Sequence, residues 1–144
     1  MAFTFVQSES YASVASSTTH QISLTGVGAG NLIALFSSFF VDTTCSISDG
    51  TATLTNGTIR KNTAVVRISL WSYLLASTSG NKTYTQTLGS SSDSGMEVYE
   101  FSYSGVASFD TQATNSTDGV TSNSVTSTNL TTTGATAVNI TDFL

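Results

Sequence analysis

The sequence predicts an all-β protein, a two-sheet antiparallel β-sandwich, and three observations carry that prediction. Apolar residues recur with period two in short runs, which marks half-buried strands rather than helices. Clusters of Gly, Asn, Asp and Ser separate the runs at intervals near those of sandwich proteins. The composition agrees, with 25 Ser and 26 Thr among 144 residues. Threonine is β-branched and suits a pleated surface, whereas serine competes for backbone hydrogen bonds and weakens helices.

Phe3-Thr4-Phe5-Val6 reads as a first strand. Ala12 to Ser17 is the one stretch expected to form a turn of helix. Thr18 to Val27 alternates, with His20, Ile22 and Leu24 on one face. Gly26-Val27-Gly28-Ala29-Gly30-Asn31 is a turn. Leu32 to Val41 is nearly continuous in apolar residues, as expected of a central strand covered on both faces. Cys45 to Ser48 and Thr51 to Thr55 are short strands flanking Asp49-Gly50, a strong hairpin signal, and Asn56-Gly57 is a second turn. Ala64 to Ala76 reads as the longest strand, with Val66, Ile68, Leu70 and Leu74 on one face and Arg67, Ser69, Trp71 and Tyr73 on the other. Beyond the turn at Ser79-Gly80-Asn81, Thr83, Thr85 and Thr87 alternate with Tyr84, Gln86 and Leu88. In Gly95 to Tyr103, Tyr99, Phe101 and Tyr103 face one way and Met96 and Val98 the other. Phe109 to Thr114, Val120 to Thr128 and Ala135 to Ile140 are further strands, giving roughly nine to eleven in all, a sandwich's complement. No linker or composition break divides the chain, so residues 1–144 are expected to form a single β-sandwich domain.

The surface implied by this composition is polar without being charged. Hydrophobic residues make up 39% and charged residues 9%, the latter far below the roughly 25% of typical soluble proteins. Hydroxyls take the place of charges, as in assembly subunits and binding modules. Net charge is −5, and the cations are Arg60, Lys61, Arg67 and Lys82 alone. Binding nucleic acid requires many phosphate-neutralising cations, so no nucleic-acid partner is expected. The lone Cys45 allows no internal disulfide and no Cys-rich metal site, and reads as a small hydrophobe in a strand. The first residues lack a basic region followed by an apolar one, so no secretory signal is expected. The apolar stretch Leu32–Val41 is well short of the ~20 residues of a membrane helix, so no membrane partner is expected either. Sequons at Asn56, Asn81, Asn115, Asn129 and Asn139 carry little weight in so hydroxyl-rich a chain.

Catalytic chemistry finds little purchase. A Ser-His-Asp triad would have to use the single histidine, His20, and no G-x-S-x-G elbow is present. His20 on an apolar face reads as a structural histidine. Zinc would need three or four ligands, which one His and one Cys do not approach. A glycosidase needs two carboxylates facing one sugar. Glu97 and Glu100 are three residues apart on one strand, which puts them on opposite faces. A buried Glu100 would need partners and reads as a cap for backbone or hydroxyl groups. Calcium through Asp42, Asp49 or Asp93 lacks any EF-hand spacing, and these read as turn acids. The chain is therefore expected not to be an enzyme and to hold no cofactor or metal. Trp71 with Tyr73, and Tyr99 with Tyr103, could serve as glycan-stacking platforms or pack between the sheets. The residues leave both open.

Thr25-Gly26-Val27-Gly28-Ala29-Gly30-Asn31-Leu32-Ile33-Ala34-Leu35 resembles a pattern G-V-x-A-G-N-L running into an apolar strand. Val98-Tyr99-Glu100-Phe101-Ser102-Tyr103-Ser104-Gly105-Val106, followed by Phe109-Asp110, resembles V-x-E-Y-S-G-V followed by L-D, with two extra residues at Phe101-Ser102-Tyr103-Ser104. Both patterns are similar to those of β-sandwich modules in phage structural (capsid decoration or tail) proteins and bacterial surface proteins. That resemblance, over about residues 18–140, implies a jelly-roll-like sandwich and a structural role. The expectation is a virion protein on the capsid surface, a decoration or cement subunit. It would be a dimer or trimer that bridges subunits of the major capsid protein or other virion proteins. Phe3, Phe5 and Val6 are the candidate interface, by strand addition. The alternative is a carbohydrate-binding or host-attachment module using Trp71 and Tyr73.

Overall fold

The structure, a computed structural model, describes residues 3–56, 60–62 and 67–104. The strands expected at 109–114, 120–128 and 135–140 lie outside the described residues, as do Gly105, Val106, Phe109, Asp110 and the three C-terminal sequons.

Within the described residues the all-β, antiparallel expectation holds, with no helix. β1 (Phe3–Val27), β2 (Leu32–Phe39), β3 (Cys45–Ser48), β4 (Thr55–Asn56), β5 (Arg60–Asn62), β6 (Arg67–Leu75) and β7 (Gly80–Tyr103) form one sheet. Its order is β1-β7-β2-β6-β4, with β3 also on β7 and β5 also on β6. β2 lies between β7 and β6, as its apolar run requires.

Two expectations are corrected. The longest strands are β1 and β7, not the segment ending at Ala76. Their ladder runs from Phe3↔Tyr103 to Val27↔Gly80 and carries the polar stretches in between. Ala12–Ser17 is not a turn of helix but part of β1. There the Ser13 and Ser17 hydroxyls each accept the N–H two residues on, from Ala15 and Thr19, both at 3.1 Å. Serine's competition for backbone groups bends the strand here instead of building a helix.

That bend organises the core. The Gln7 side-chain amide donates to the Thr25 carbonyl at 2.9 Å, and the Tyr11 and His20 rings lie 6.0 Å apart. An extended chain would hold residues 7 and 25 about 60 Å apart at ~3.3 Å per residue. β1 therefore doubles back across Ser13–Thr19, where its register with β7 slips twice. Core side chains come from both limbs. Ile22 and Leu24 of β1, Tyr84 of β7 and Ile47 of β3 pack with Ile33 and Leu35 of β2 and Met96 and Val98 of β7. Each such aliphatic burial is worth about 1.5–3 kcal/mol. His20, Ile22 and Leu24 share the buried face, as do Tyr84, Gln86 and Leu88.

Two turns follow their sequence signals. Gly30 (φ 83°) sits third in the turn closed by the Asn31 N–H on the Gly28 carbonyl, and a side chain there would strain that backbone. The same turn is tied to the chain beyond β6, through Gly30 N–H to the Ala76 carbonyl at 2.7 Å. Past β3, the Asp49 carboxylate accepts the N–H groups of Thr51 and Ala52 at 2.9 and 2.7 Å, and Leu54 N–H reaches the Ile47 carbonyl. The strand expected at Thr51–Thr55 is shorter: a single bridge at Thr53, then β4.

Candidate functional site

Along β7 the even-numbered residues from Ser92 to Glu100 are buried, so Glu97, Tyr99, Phe101 and Tyr103 lie on the face away from the core. β1 reaches that face by a bulge. Phe3 and Phe5 stand opposite Tyr103 and Phe101, but the register slips before Gln7↔Glu100. The extra residue, Val6, changes which residues face inward. Phe3 and Phe5 turn outward, whereas Gln7 turns in.

The result is an aromatic surface across the sheet. Phe3 packs on Tyr103 with ring centroids 5.5 Å apart, and Phe5 meets Phe101 nearly edge-on at 6.1 Å. Phe36 of β2 meets Tyr99 edge-on at 6.0 Å. Aromatic pairs at these separations add about 0.5–1.5 kcal/mol beyond area burial. Phe5 is 56% and Val6 46% exposed. In the next row Ala34 stands between Tyr99 on β7 and Tyr73 on β6, and Phe36 is in register with Trp71. The sequence candidates Phe3 and Phe5 thus sit on β1 and Trp71 and Tyr73 on β6 of one sheet, joined through β7 and β2. Phe101, expected from the sequence on the face of Tyr99 and Tyr103, lies beside Phe5, and Phe36, not singled out there, lies beside Tyr99. The signal for Phe36 was the apolar run of β2, which marks a strand covered on both faces and so one with aromatic residues on its outer side too.

Polar chemistry on this face is modest. The Tyr99 hydroxyl donates to Glu97 at 2.8 Å, and that hydrogen bond, with some burial, raises the phenol above its ordinary range. Glu97 and Glu100 lie on opposite faces, as their spacing requires.

Glu100 is fully buried and fully partnered. One oxygen accepts the Gly28 N–H at 2.8 Å and the Asn31 side-chain amide at 2.6 Å; the other accepts the Gln7 side-chain amide at 2.5 Å. Burial pushes its carboxyl up, but the bonds from Gln7, Gly28 and Asn31 outweigh it, so the group sits below its usual range. Glu100 is thus a cap for a backbone N–H and two carboxamides, clamping the Gly28–Asn31 turn and the first limb of β1 to β7. Of the backbone or hydroxyl partners expected from the sequence, the backbone one is present, as the Gly28 N–H.

The remaining candidates are structural as well. His20 is buried; Nε2 donates towards the Ser92 and Ser17 carbonyls at 2.9 and 3.2 Å, and Nδ1 faces the Tyr11 hydroxyl at 3.4 Å. Cys45 lies half-buried between the two apolar clusters. Burial pushes its thiol up, only partly offset by hydrogen bonds from Gln86 and Ser37. Asp49 is a turn acid whose carboxyl, raised by burial, is lowered on balance by the Ala52 and Thr51 N–H groups and by Lys82, 3.7 Å away. Burial above all, then the charges of Asp49 and Glu100, push the Tyr84 phenol far up. Among the described residues no group of three or more His, Cys, Asp or Glu is placed to hold a metal, and no helix is long and apolar enough to cross a membrane.

No protein-family model, curated protein or solved structure matches the chain.

Proposed function

We propose that this chain is a virion structural protein, a decoration (cement) subunit on a phage capsid surface. In this reading the folded-over sheet belongs to a two-sheet, jelly-roll-like sandwich. The subunit, as a dimer or trimer, bridges major capsid protein subunits or other virion proteins and adds buried interface at their joints. One observation carries the reading: Phe3 and Phe5 are held outward by the bulge at Val6 and backed by Tyr103 and Phe101. An apolar surface braced on a long ladder is suited to a permanent contact, because little ordering remains to be done on binding. The hydroxyl-rich, weakly charged composition supports the same role, and every buried polar group described above is already engaged in holding the fold.

The test is co-sedimentation of purified protein with undecorated phage capsids, followed by thermal challenge of the shells. Saturable binding that raises capsid melting, and is lost in Phe3→Ser/Phe5→Ser with the fold intact, is the expected result. Failure to bind any capsid tried, with the fold intact, counts against it.

A second reading, a carbohydrate-binding or host-attachment module, is favoured by the row Tyr73–Ala34–Tyr99. A small residue between two tyrosines leaves their rings room to stack on a sugar. Quenching of Trp71 fluorescence by a glycan, abolished in Tyr99→Ala, would move the assignment to this reading.

A further inference from the structure

The two edges of the sheet differ in kind. On one side, among the described residues, β6 carries only the short strands β4 and β5, and three of the chain's four cationic residues, Arg60, Lys61 and Arg67, sit on β5 and β6. Short strands and cations are how soluble proteins keep a sheet edge from pairing. On the other side β1 presents 25 residues with no proline, lysine or arginine; its charged residue is Glu9, and its one histidine is buried. Among the described residues, β1 is paired along β7 alone. Its irregularities leave two long unbroken runs, Thr19–Leu24 against Lys82–Thr87 and the longer Gln7–Ser13, in continuous register with Ser94–Glu100. The Ser8, Glu9, Ser10 and Ala12 side chains of the longer run are exposed, and Val14 just beyond is 93% exposed.

We propose that this edge pairs with the same edge of a second copy, Gln7–Ser13 against Gln7–Ser13, antiparallel about a two-fold axis at Ser10. The choice of a second copy follows from symmetry and charge. A two-fold axis makes any open antiparallel edge complementary to itself. Ser10 is the midpoint of the longer regular run, so this register pairs all of it. Glu9 then stands opposite Tyr11 of the second copy rather than its own equivalent, which avoids the like-charge contact that destabilises cross-strand pairs. In a chain of net charge −5, the edge with a single acid is also where two copies repel least. The pairing continues β1-β7-β2-β6 into one sheet spanning both copies and carries Phe3 and Phe5 on each side of the junction. It rests on the assembly reading above and deepens it by naming the surface through which copies join.

The test is light scattering after size exclusion, with a register scan by disulfide trapping. Ser8 and Ser10 lie opposite Tyr99 and Glu97, on the face away from the core, so Ser8→Lys/Ser10→Lys leaves the fold intact by circular dichroism. The wild-type chain is expected to run as a dimer and the double variant as a monomer. With Cys45 replaced by Ala, Ser10→Cys is expected to cross-link under mild oxidation several-fold faster than Ser8→Cys or Ala12→Cys. A wild-type monomer up to about 1 mM, the weak limit of specific association, overturns the proposal, as does an oligomer indifferent to the two lysines. A monomer that still binds capsids sinks this inference and leaves the virion reading standing; a dimer that binds none does the reverse.

Discussion

At the scale of single residues, Glu100 is the most committed side chain. Replacing it with Gln sets one amide against the Gln7 amide and leaves a buried donor unmatched. A loss of about 1.5–3 kcal/mol is expected, read as a drop in the urea midpoint. Its pH dependence has a definite sign. A carboxyl held below its unfolded value stabilises the fold above that value, about 4.3 in an unfolded chain, and the contribution is lost as pH falls through the folded value. The wild-type chain should therefore lose urea resistance below about pH 4.3 more steeply than Glu100→Gln; parallel curves would show the clamp to be energetically idle. Cys45 is the opposite case, a residue whose chemistry is suppressed. With its thiol raised by burial, labelling by a thiol reagent at pH 8 should be slow in the folded protein and rapid in urea.

At the scale of elements, much was legible where a strand has one wet and one dry side. The buried faces of β7 and of β1 from His20 onward follow from alternation, and the central place of β2 from its continuous apolar run. What alternation did not reveal is that Ser8–Ser17 and Gly89–Ser94 are strand. These stretches are too polar to announce a buried face, and their conformation is imposed by the ladder joining β1 and β7. The Val6 bulge was equally hidden, because an extra residue in a ladder has no signature in one strand alone. The clamp was half visible: Glu100 was marked as needing partners, but its bonds to Gly28 and Asn31 join stretches 69 residues or more apart. Two expectations belong here. A methyl on Gly28 would stand 2.6 Å from the Asn31 amide nitrogen and displace it from Glu100, so Gly28→Ala should cost about 1–3 kcal/mol in thermal or urea unfolding. His20→Ala should leave the Ser92 and Ser17 carbonyls without their side-chain donor, at a cost of about 1–3 kcal/mol, with hydrogen exchange rising first at the bend of β1.

At the scale of the whole molecule, surface and interior have separate tasks. The buried polar groups close the fold on itself, and among the described residues the outward aromatic face and the β1 edge are the surfaces left for partners. The ladder that joins these features also sets an order of events. Phe3 pairs with Tyr103, 100 positions later in the chain, and Val27 pairs with Gly80. During synthesis at about 5–20 residues per second, the first strand waits several seconds for its partner to be made. Refolding in the test tube faces the same long loop closures, and its main phase is expected in the millisecond-to-second range by stopped-flow fluorescence. Until that partner arrives, a proline-free edge with a single charged residue is exposed to every other nascent copy, so the yield of native protein should fall with expression rate before it falls with temperature.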